Sequence, residues 1–557
     1  MAEFKSFSSS NAASSDGLKA TNYSALSTLT TVFFFWGFIA SGNTVFIPFC
    51  KSYFQLDQFQ SQLIDFAFYG AYYLGALLLF AISVKRKSDV VGNWGYKKTI
   101  VLGLTFSALG ALAMVLCVLK GAFAGMLLGL FIVALGFSLQ QTSANPFMIM
   151  LGDEKTGATR ITLGGAVNSF GSMIGPIVIS LVLFGTTMAL SQEQIQKLSL
   201  NKVSVLYGCV GFLFLCIALM FKFSKKVPDA KIIATDETLV TANAKALNRL
   251  LILTGCLLIA FAPVFYSYRS DLDWSKADAE RVRIIGWVIG LLVIVVGLLL
   301  THRKAAREKT GWGAMQFPQL TMGMLAIFVY VGVEVTVGSN LGELLQNEKF
   351  GAFDTSQLAP FVSLYWGSLM IGRWTGAVAA INISEKLQRI LRIILPFLAF
   401  GVVLTVSYLT GYRVDNLYGY IVCVIIQVFA FIWTKDKPAF TLLVFSLLNA
   451  IAIAIGMLSE GIIATYAIMS TGLFCSIMWS SIFSLALGGL DKYQTQGAAF
   501  LVMMILGGAV IPPLQGKLAD IIGIQNSYVI ALVCFLFLAF YAFWVKKVLH
   551  KQGQLFD

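Results

Sequence analysis

Charged residues are scarce in this sequence. Only 12% of its 557 residues are Asp, Glu, Lys or Arg, whereas a typical soluble domain carries about 25%. Hydrophobic residues make up 58% of the chain, and they lie in long runs separated by brief polar connections. This pattern excludes a soluble enzyme, a disordered chain and a secreted disulfide scaffold, and it predicts an all-α, polytopic membrane protein.

Residues that bind metals or phosphates are also missing. The chain has two histidines, His302 and His550, which lie too far apart in the sequence to form an HExxH motif, and it contains no GxxxxGK[ST] phosphate loop. Its eight cysteines share no CxxC spacing, so we expect small buried side chains without disulfides or zinc. We therefore expect neither an enzyme nor an ATP-driven pump, and no cofactor.

Sixteen segments are long and apolar enough to cross a bilayer, because about 20 apolar residues suffice. They lie at 26–50, 61–84, 98–119, 123–150, 160–187, 203–223, 247–267, 284–301, 318–345, 358–382, 390–410, 417–434, 437–458, 461–488, 497–516 and 526–546. With the N-terminus inside, roughly 70% of the 40 Lys and Arg residues fall in or beside cytoplasmic segments. The net charge of +13 is explained by this bias, so we expect no nucleic-acid partner, and we predict that both termini are cytoplasmic.

Asp65, Glu334 and Arg373 stand out among the charged residues of the predicted spans, because a charge inside the membrane costs about 2.5–3.5 kcal/mol on insertion scales. Asp65 and Glu334 are candidates for binding a coupling ion, and Arg373 is a candidate for a structural or gating ion pair. Neutral polar groups and one tryptophan complete the candidate substrate site: Trp36, Asn43, Thr44, Gln141, Asn145 and Asn168. For any single amide or hydroxyl, the alternative is a hydrogen bond that only joins two helices.

Several segments resemble the fucose/glucose–galactose transporter family of the major facilitator superfamily. They occur in family order over residues 30–190 and 320–545, and they include FFFWGFIASGNTVFIP, QLIDFAFYGAYYLGAL, LQQTSANPFMIMLG, VNSFGSMIGP, FVYVGVEVTVGS, VSLYWGSLMIGR and GLFCSIMWSSIFSLALGGL. The resemblance implies twelve core helices in two six-helix halves, plus about four extra helices. It divides the chain into residues 1–223, the N-terminal half; 224–316, a cytoplasmic linker with two extra helices; and 317–557, the C-terminal half with an extra pair near 390–434.

The chain departs from the family at three positions. Proton-coupled members have an Asp eight residues after the first-helix Trp, which here is Thr44. They have a Glu where this chain has Gln141, and a Gln where it has Gly165. Thr and Gln do not ionise near neutral pH, so coupling, if present, needs another carboxylate such as Asp65 or Glu334.

The resemblance implies alternating-access transport of a monosaccharide, a hexose or deoxyhexose such as glucose, galactose or fucose, by a monomer in a bacterial inner membrane. The coupling ion could be H⁺ or Na⁺, or transport could be uncoupled. Two alternatives stay open: a non-transporting sugar sensor or membrane scaffold of the same fold, and a proton-coupled peptide transporter. The peptide transporter would need charged residues in its first helix, and residues 26–50 contain none.

Overall fold

The computed structural model describes residues 21–55, 58–153, 156–185, 200–229, 244–267, 274–353, 358–381, 383–435 and 437–554. These residues form helices and no strand. The long helices are α1 (Tyr23–Tyr53), α2 (Gln58–Lys85), α3 (Tyr96–Leu119), α4 (Phe123–Met150), α5 (Gly157–Phe184), α6 (Asn201–Phe223), α7 (Ala244–Tyr266), α8 (Lys276–Glu308), α9 (Pro318–Gln346), α10 (Ala359–Ala377), α11 (Glu385–Leu409), α12 (Ile421–Thr434), α13 (Pro438–Leu458), α14 (Gly461–Cys475), α15 (Met478–Leu487), α16 (Gln494–Met503), α17 (Gly507–Ile522) and α18 (Val529–Lys551).

Fifteen membrane-crossing segments in the described chain are long and apolar enough to span a bilayer. Two of them are interrupted helices, α14 with α15 and α16 with α17, each counted once. The predicted span at 358–382 corresponds to α10, which is not among the fifteen. Helix α10 has 19 residues and contains Arg373, whose charge lowers the mean hydropathy of the segment. The all-helical fold class is confirmed.

The start of α1 and the end of α18 lie on the same side of the helix bundle. Gln319, in the first turn of α9, exchanges hydrogen bonds of 2.9 Å with Gln552, which follows α18. At the start of α1, the backbone N–H of Asn22 donates to the carbonyl of Leu151, just beyond α4, at 2.8 Å. We call this side of the bundle the terminal end and the opposite side the distal end.

Helices α1–α6 form the first half of the bundle. Helix α3 packs against α4 and α6, and α1 runs along α5. Glycines make the α1–α5 approach possible: a Cβ on Gly171 would lie 2.2 Å from the carbonyl oxygen of Phe34, and one on Gly175 would lie 2.5 Å from that of Phe38. The two backbones therefore touch at positions where any side chain would separate them.

The second half contains α9, α10 and α13–α18. Helix α13 packs against α14 and α18, and α9 packs against α15, α17 and α18. Of the fifteen spans, α9 is the most deeply buried. It therefore lies at the centre of this half and can present side chains to both α10 and the opposite half.

Two helix pairs lie outside these halves. Helices α7 and α8 pack on each other and touch both halves: the Tyr73 hydroxyl lies 2.6 Å from that of Thr254, and His302 Nδ1 lies 3.1 Å from the Thr321 hydroxyl. Helices α11 and α12 pack against α10, and α12 also contacts α14. The second pair thus covers helices that contribute to the seam between the halves.

The prediction that all eight cysteines are buried holds for three of them and is wrong for the others, of which Cys117 and Cys423 are half-buried. Cys209, Cys216 and Cys256 are exposed on helix surfaces, whereas Cys50, Cys475 and Cys534 are buried. Lipid and protein interior are both apolar surroundings, so hydrophobic sequence context does not distinguish a lipid-facing cysteine from a buried one.

Candidate functional site

Arg373, near the terminal end of α10, lies at the seam between the two halves. Its Nη1 donates to the hydroxyl of Ser169 in α5 at 2.9 Å and lies 3.5 Å from Asn168 Oδ1. Its Nε donates to the backbone carbonyl of Ser476 at 3.1 Å. The guanidinium therefore bonds to both halves at once.

Gly165 lies beside the Arg373 side chain. A Cβ on Gly165 would meet the Arg373 side chain at 3.4 Å from Cδ and 3.6 Å from Nε, which is ordinary contact, so the arginine lies directly against the α5 backbone. Next to it, the indole N–H of Trp374 donates to the carbonyl of Ala166 at 3.2 Å. One of the three positions at which the sequence differs from the family it resembles thus faces the charged group of the other half.

Glu334 of α9 neutralises the arginine. Its Oε1 lies 3.5 Å from Arg373 Nη2, and the two side chains are 12% and 13% exposed. The hydroxyl of Tyr365, in α10, donates to the backbone carbonyl of Glu334 at 2.7 Å. Breaking a buried pair costs more than the pair gains, because the remaining charge is left uncompensated. The pair therefore connects α9 to α10, and loss of either partner would leave the other charge buried and uncompensated.

The polar run of α4 contains side chains that are hydrogen-bonded within the protein and, in the part of the chain that the structure describes, one oxygen that has no partner. Gln140 is fully buried, accepting from the Trp36 indole at 3.0 Å and donating to the Ser107 hydroxyl at 3.2 Å. Gln141 donates to the Tyr72 hydroxyl at 3.3 Å. Asn145 donates to the Gln141 carbonyl at 3.2 Å, while its buried Oδ1 has no hydrogen-bond partner among the described residues.

A chain of contacts joins this run to the charged cluster. The rings of Trp36 and Phe33 lie 4.4 Å apart between centroids, and the Phe33 carbonyl accepts from Asn168 Nδ2 at 3.0 Å. Asn168 in turn faces Arg373. Residues of α1, α4, α5, α9 and α10 are therefore joined by one chain of contacts, which passes through the Phe33 ring and backbone between the polar groups.

The structure describes most of the predicted site residues. It brings Asn168, Glu334 and Arg373 together, and it connects Trp36 to them. The side chains of Asn43, Thr44 and Asp65 lie outside the described residues, so their roles stay predictions. Among the residues described, no group of three or more His, Cys, Asp or Glu side chains could hold a metal ion.

Further contacts join the halves near the terminal end. The hydroxyls of Thr162 in α5 and Ser480 in α15 lie 2.6 Å apart, and those of Tyr96 in α3 and Thr495 in α16 lie 2.9 Å apart. Sequence reasoning missed these residues, because serine and threonine occur throughout apolar helices and nothing in the pattern pairs positions more than 300 residues apart. These contacts bring the terminal ends of the two halves together.

The connection between α2 and α3 also contributes to this closure. Asp89 caps the short helix Val90–Trp94 by accepting from the Gly92 N–H at 3.1 Å. Burial raises the pKa of the Asp89 carboxyl above its usual value, while hydrogen bonds from backbone N–H groups and the Thr495 hydroxyl lower it. The sequence indicates only a topological role for this segment, but the structure shows that it contacts the opposite half.

Known proteins resemble this chain along most of its length. No family model matches it. It is 29% identical over 517 residues to the glucose/galactose transporter of Brucella abortus, covering 93% of each chain. It is 24% identical over 510 residues to the L-fucose-proton symporter of Escherichia coli, covering 91% of this chain and 90% of the relative.

Solved structures give the fold. A variant of the fucose:proton symporter of E. coli aligns over 94% of this chain and 99% of its own, with a TM-score of 0.62 and 20% identity. The same symporter in an outward conformation aligns over 93% of this chain and 98% of its own, with a TM-score of 0.59 and 21% identity. The resemblance found in the sequence motifs is confirmed, and the fold is that of the major facilitator superfamily.

Proposed function

We propose that this chain transports a monosaccharide across the membrane by alternating access. The observation that carries this is the contact of Arg373 with both Ser169 and Glu334, because it places a polar cluster at the seam between two halves of this fold. In such folds the substrate site lies between halves that rock about it. The relatives named as glucose/galactose and fucose transporters favour a hexose or deoxyhexose.

The sugar site would be built from side-chain amides. Gln141, Asn145 and Asn168 can each donate to and accept from a sugar hydroxyl, and each net hydrogen bond would contribute about 0.5–1.5 kcal/mol. The unpartnered Oδ1 of Asn145 would gain a donor from the sugar. Asn43 and Thr44 complete this set by prediction, and Trp36 offers an aromatic face.

The coupling ion we propose is a proton, bound by Glu334. A protonated Glu334 would no longer attract Arg373 electrostatically, so the arginine's contacts with Asn168 and Ser169 would weaken. Proton and sugar would then bias the same equilibrium between conformations, which is the requirement for coupling. Asp65 is the second candidate carboxylate, and Na⁺ is the alternative ion.

The terminal end would face the cytoplasm. Most of the basic residues lie in or beside the connections at this end, and cytoplasmic loops of membrane proteins carry an excess of Lys and Arg. We place the protein in the bacterial inner membrane as a monomer, with both termini cytoplasmic.

Uptake by purified protein in liposomes tests the proposal. Labelled glucose, galactose and fucose are offered with an inward proton gradient, with an inward sodium gradient, and with neither; empty liposomes are the control. Proton-driven accumulation of at least one sugar supports the proposal. Sodium-driven accumulation would show that the coupling ion is Na⁺ instead of a proton. Sugar binding without uptake in any condition would instead indicate a sensor or scaffold.

A further inference from the structure

The helix opposite Arg373 is broken. Ser476 and Ile477 separate α14 from α15. The Leu473 carbonyl accepts from the Ser476 hydroxyl at 2.5 Å, and the Ser476 carbonyl accepts from Arg373 Nε at 3.1 Å. Backbone groups released by such a break must be satisfied within the protein, since lipid offers no donors. The break thus supplies a fixed acceptor for the charged group at the seam.

A side chain from outside the twelve-helix core completes this break. Gln427 lies on α12, in the extra pair, and is fully buried. Its Nε2 donates to the Leu473 carbonyl at 3.0 Å. The extra pair therefore contributes a hydrogen bond directly to the broken helix.

Gly372, the residue before Arg373, shows how tightly these groups pack. A Cβ there would lie 2.0 Å from the Ser476 hydroxyl and 2.3 Å from Gln427 Nε2. Only glycine leaves room for both side chains. The donor on α12, the break and the backbone beside Arg373 are thus in direct contact.

A second contact from the extra pair reaches the same two core helices. The Tyr420 hydroxyl, at the start of α12, donates to the Met469 carbonyl of α14 at 3.1 Å and lies 2.8 Å from the Ser368 hydroxyl of α10. The extra helix therefore bonds to α14 at two levels, at the Leu473 carbonyl beside the break and about one turn earlier at Met469, and at the second level it also bonds to α10.

We propose that Gln427 is a positioning residue for Arg373 and that the pair α11–α12 acts as a brace for the broken helix. The Gln427 amide holds the break in a fixed position, so that the Ser476 carbonyl faces Arg373. This contact orients the guanidinium towards Glu334 and Ser169. Gln427 acts through the break and does not touch the sugar. The transport readout of this inference rests on the proposed function.

Two substitutions of Gln427 distinguish the effect of its hydrogen-bond donor from the effect of its side-chain volume. Gln427→Leu removes the donor at similar size. Gln427→Glu keeps an O–H donor when neutral, and burial away from water favours the neutral form; it is assayed at about pH 5.5. Phe429→Leu, on the exposed face of the same helix, is the control. We expect Gln427→Leu to slow sugar uptake about tenfold and Gln427→Glu to stay within about threefold of the parent.

A second readout does not depend on transport. Each substitution is combined with Thr162→Cys and Ser480→Cys, and the rate of disulfide formation between α5 and α15 is compared with the parent at the same pH. We expect the disulfide rate to change more in Gln427→Leu than in Gln427→Glu, as for uptake, because α15 follows the break and a loosened break would displace Ser480. Equal rates of disulfide formation in Gln427→Leu and the parent would overturn the inference. Equal reductions of this rate in Gln427→Leu and Gln427→Glu would overturn it as well.

The two readouts also separate this inference from the proposed function. If the parent protein takes up none of the sugars but the disulfide rates follow the expected order, the positioning role stands and the proposed transport fails. If the parent transports and neither rate changes in Gln427→Leu, the positioning role fails alone.

Discussion

Arg373 Nη2 and Glu334 Oε1 lie 3.5 Å apart, and barely an eighth of either side chain is exposed. The two residues belong to neighbouring helices of one half, yet Arg373 also binds Ser169 in the other half. The ion pair therefore neutralises a buried charge and at the same time fixes the group that holds the halves together. In the proposed mechanism, the charge on Glu334 sets how firmly Arg373 holds the seam closed.

Removing one partner of this pair will cost more than removing both. Arg373→Leu leaves the Glu334 carboxylate buried without a counter-charge, so the free energy of unfolding should fall by about 3–5 kcal/mol. Adding Glu334→Gln to that variant should recover most of the loss. Thermal melting of purified protein in detergent measures both. A double variant no more stable than Arg373→Leu alone would show that the carboxylate is not paired there.

Coupling will be lost in Glu334→Gln. The amide cannot bind and release a proton, so an imposed proton gradient should no longer drive accumulation, while exchange of labelled for unlabelled sugar continues. Asp65→Asn is the matched test of the other carboxylate. If both variants keep full accumulation, no proton is carried by either residue, and the coupling proposal is wrong.

Replacing Gln140 and replacing Asn145 of α4 by alanine will have different effects, one on stability and the other on the KM for sugar. Asn145→Ala removes the unpartnered Oδ1 and should raise the KM for sugar about tenfold, the effect of one lost hydrogen bond. Gln140→Ala orphans the Trp36 indole and the Ser107 hydroxyl, which should lower stability by about 1–3 kcal/mol. Uptake kinetics and melting curves of both variants measure these effects. Equal changes in KM would contradict the assignment of sugar binding to Asn145 and of packing to Gln140.

The α1–α5 contact will not tolerate a methyl group. Gly171→Ala places a Cβ 2.2 Å from the Phe34 carbonyl oxygen, which should push the helices apart and cost about 1–3 kcal/mol of stability. Gly208→Ala is the control, since a Cβ on Gly208 meets nothing within 4 Å. Melting temperatures that fall equally in the two variants would mean that the contact does not matter.

Long apolar runs make the helices of this chain predictable, but they do not show which way each helix faces. The run at 417–434 is recognisable as a span, and Gln427 is visible as a polar residue in it. Nothing in the sequence shows that it faces the break near Ser476 rather than lipid. The same ambiguity accounts for the exposed Cys209, Cys216 and Cys256.

The charged site is partly predictable for a simple physical reason. A charge inside the membrane is costly, so Glu334 and Arg373 stand out in the sequence by their position within apolar runs. Their pairing with each other and with Ser169 depends on packing between segments far apart in the chain. Local spacing carries no information on such contacts.

Locking the terminal end tests alternating access most directly. The hydroxyls of Thr162 and Ser480 lie 2.6 Å apart across the two halves, so Thr162→Cys with Ser480→Cys should form a disulfide with little movement. We predict that oxidation of this pair stops sugar uptake and that a reductant restores it, while each single variant is unaffected by oxidant. Undiminished uptake by the fully cross-linked protein would contradict a mechanism in which the halves must part at this end.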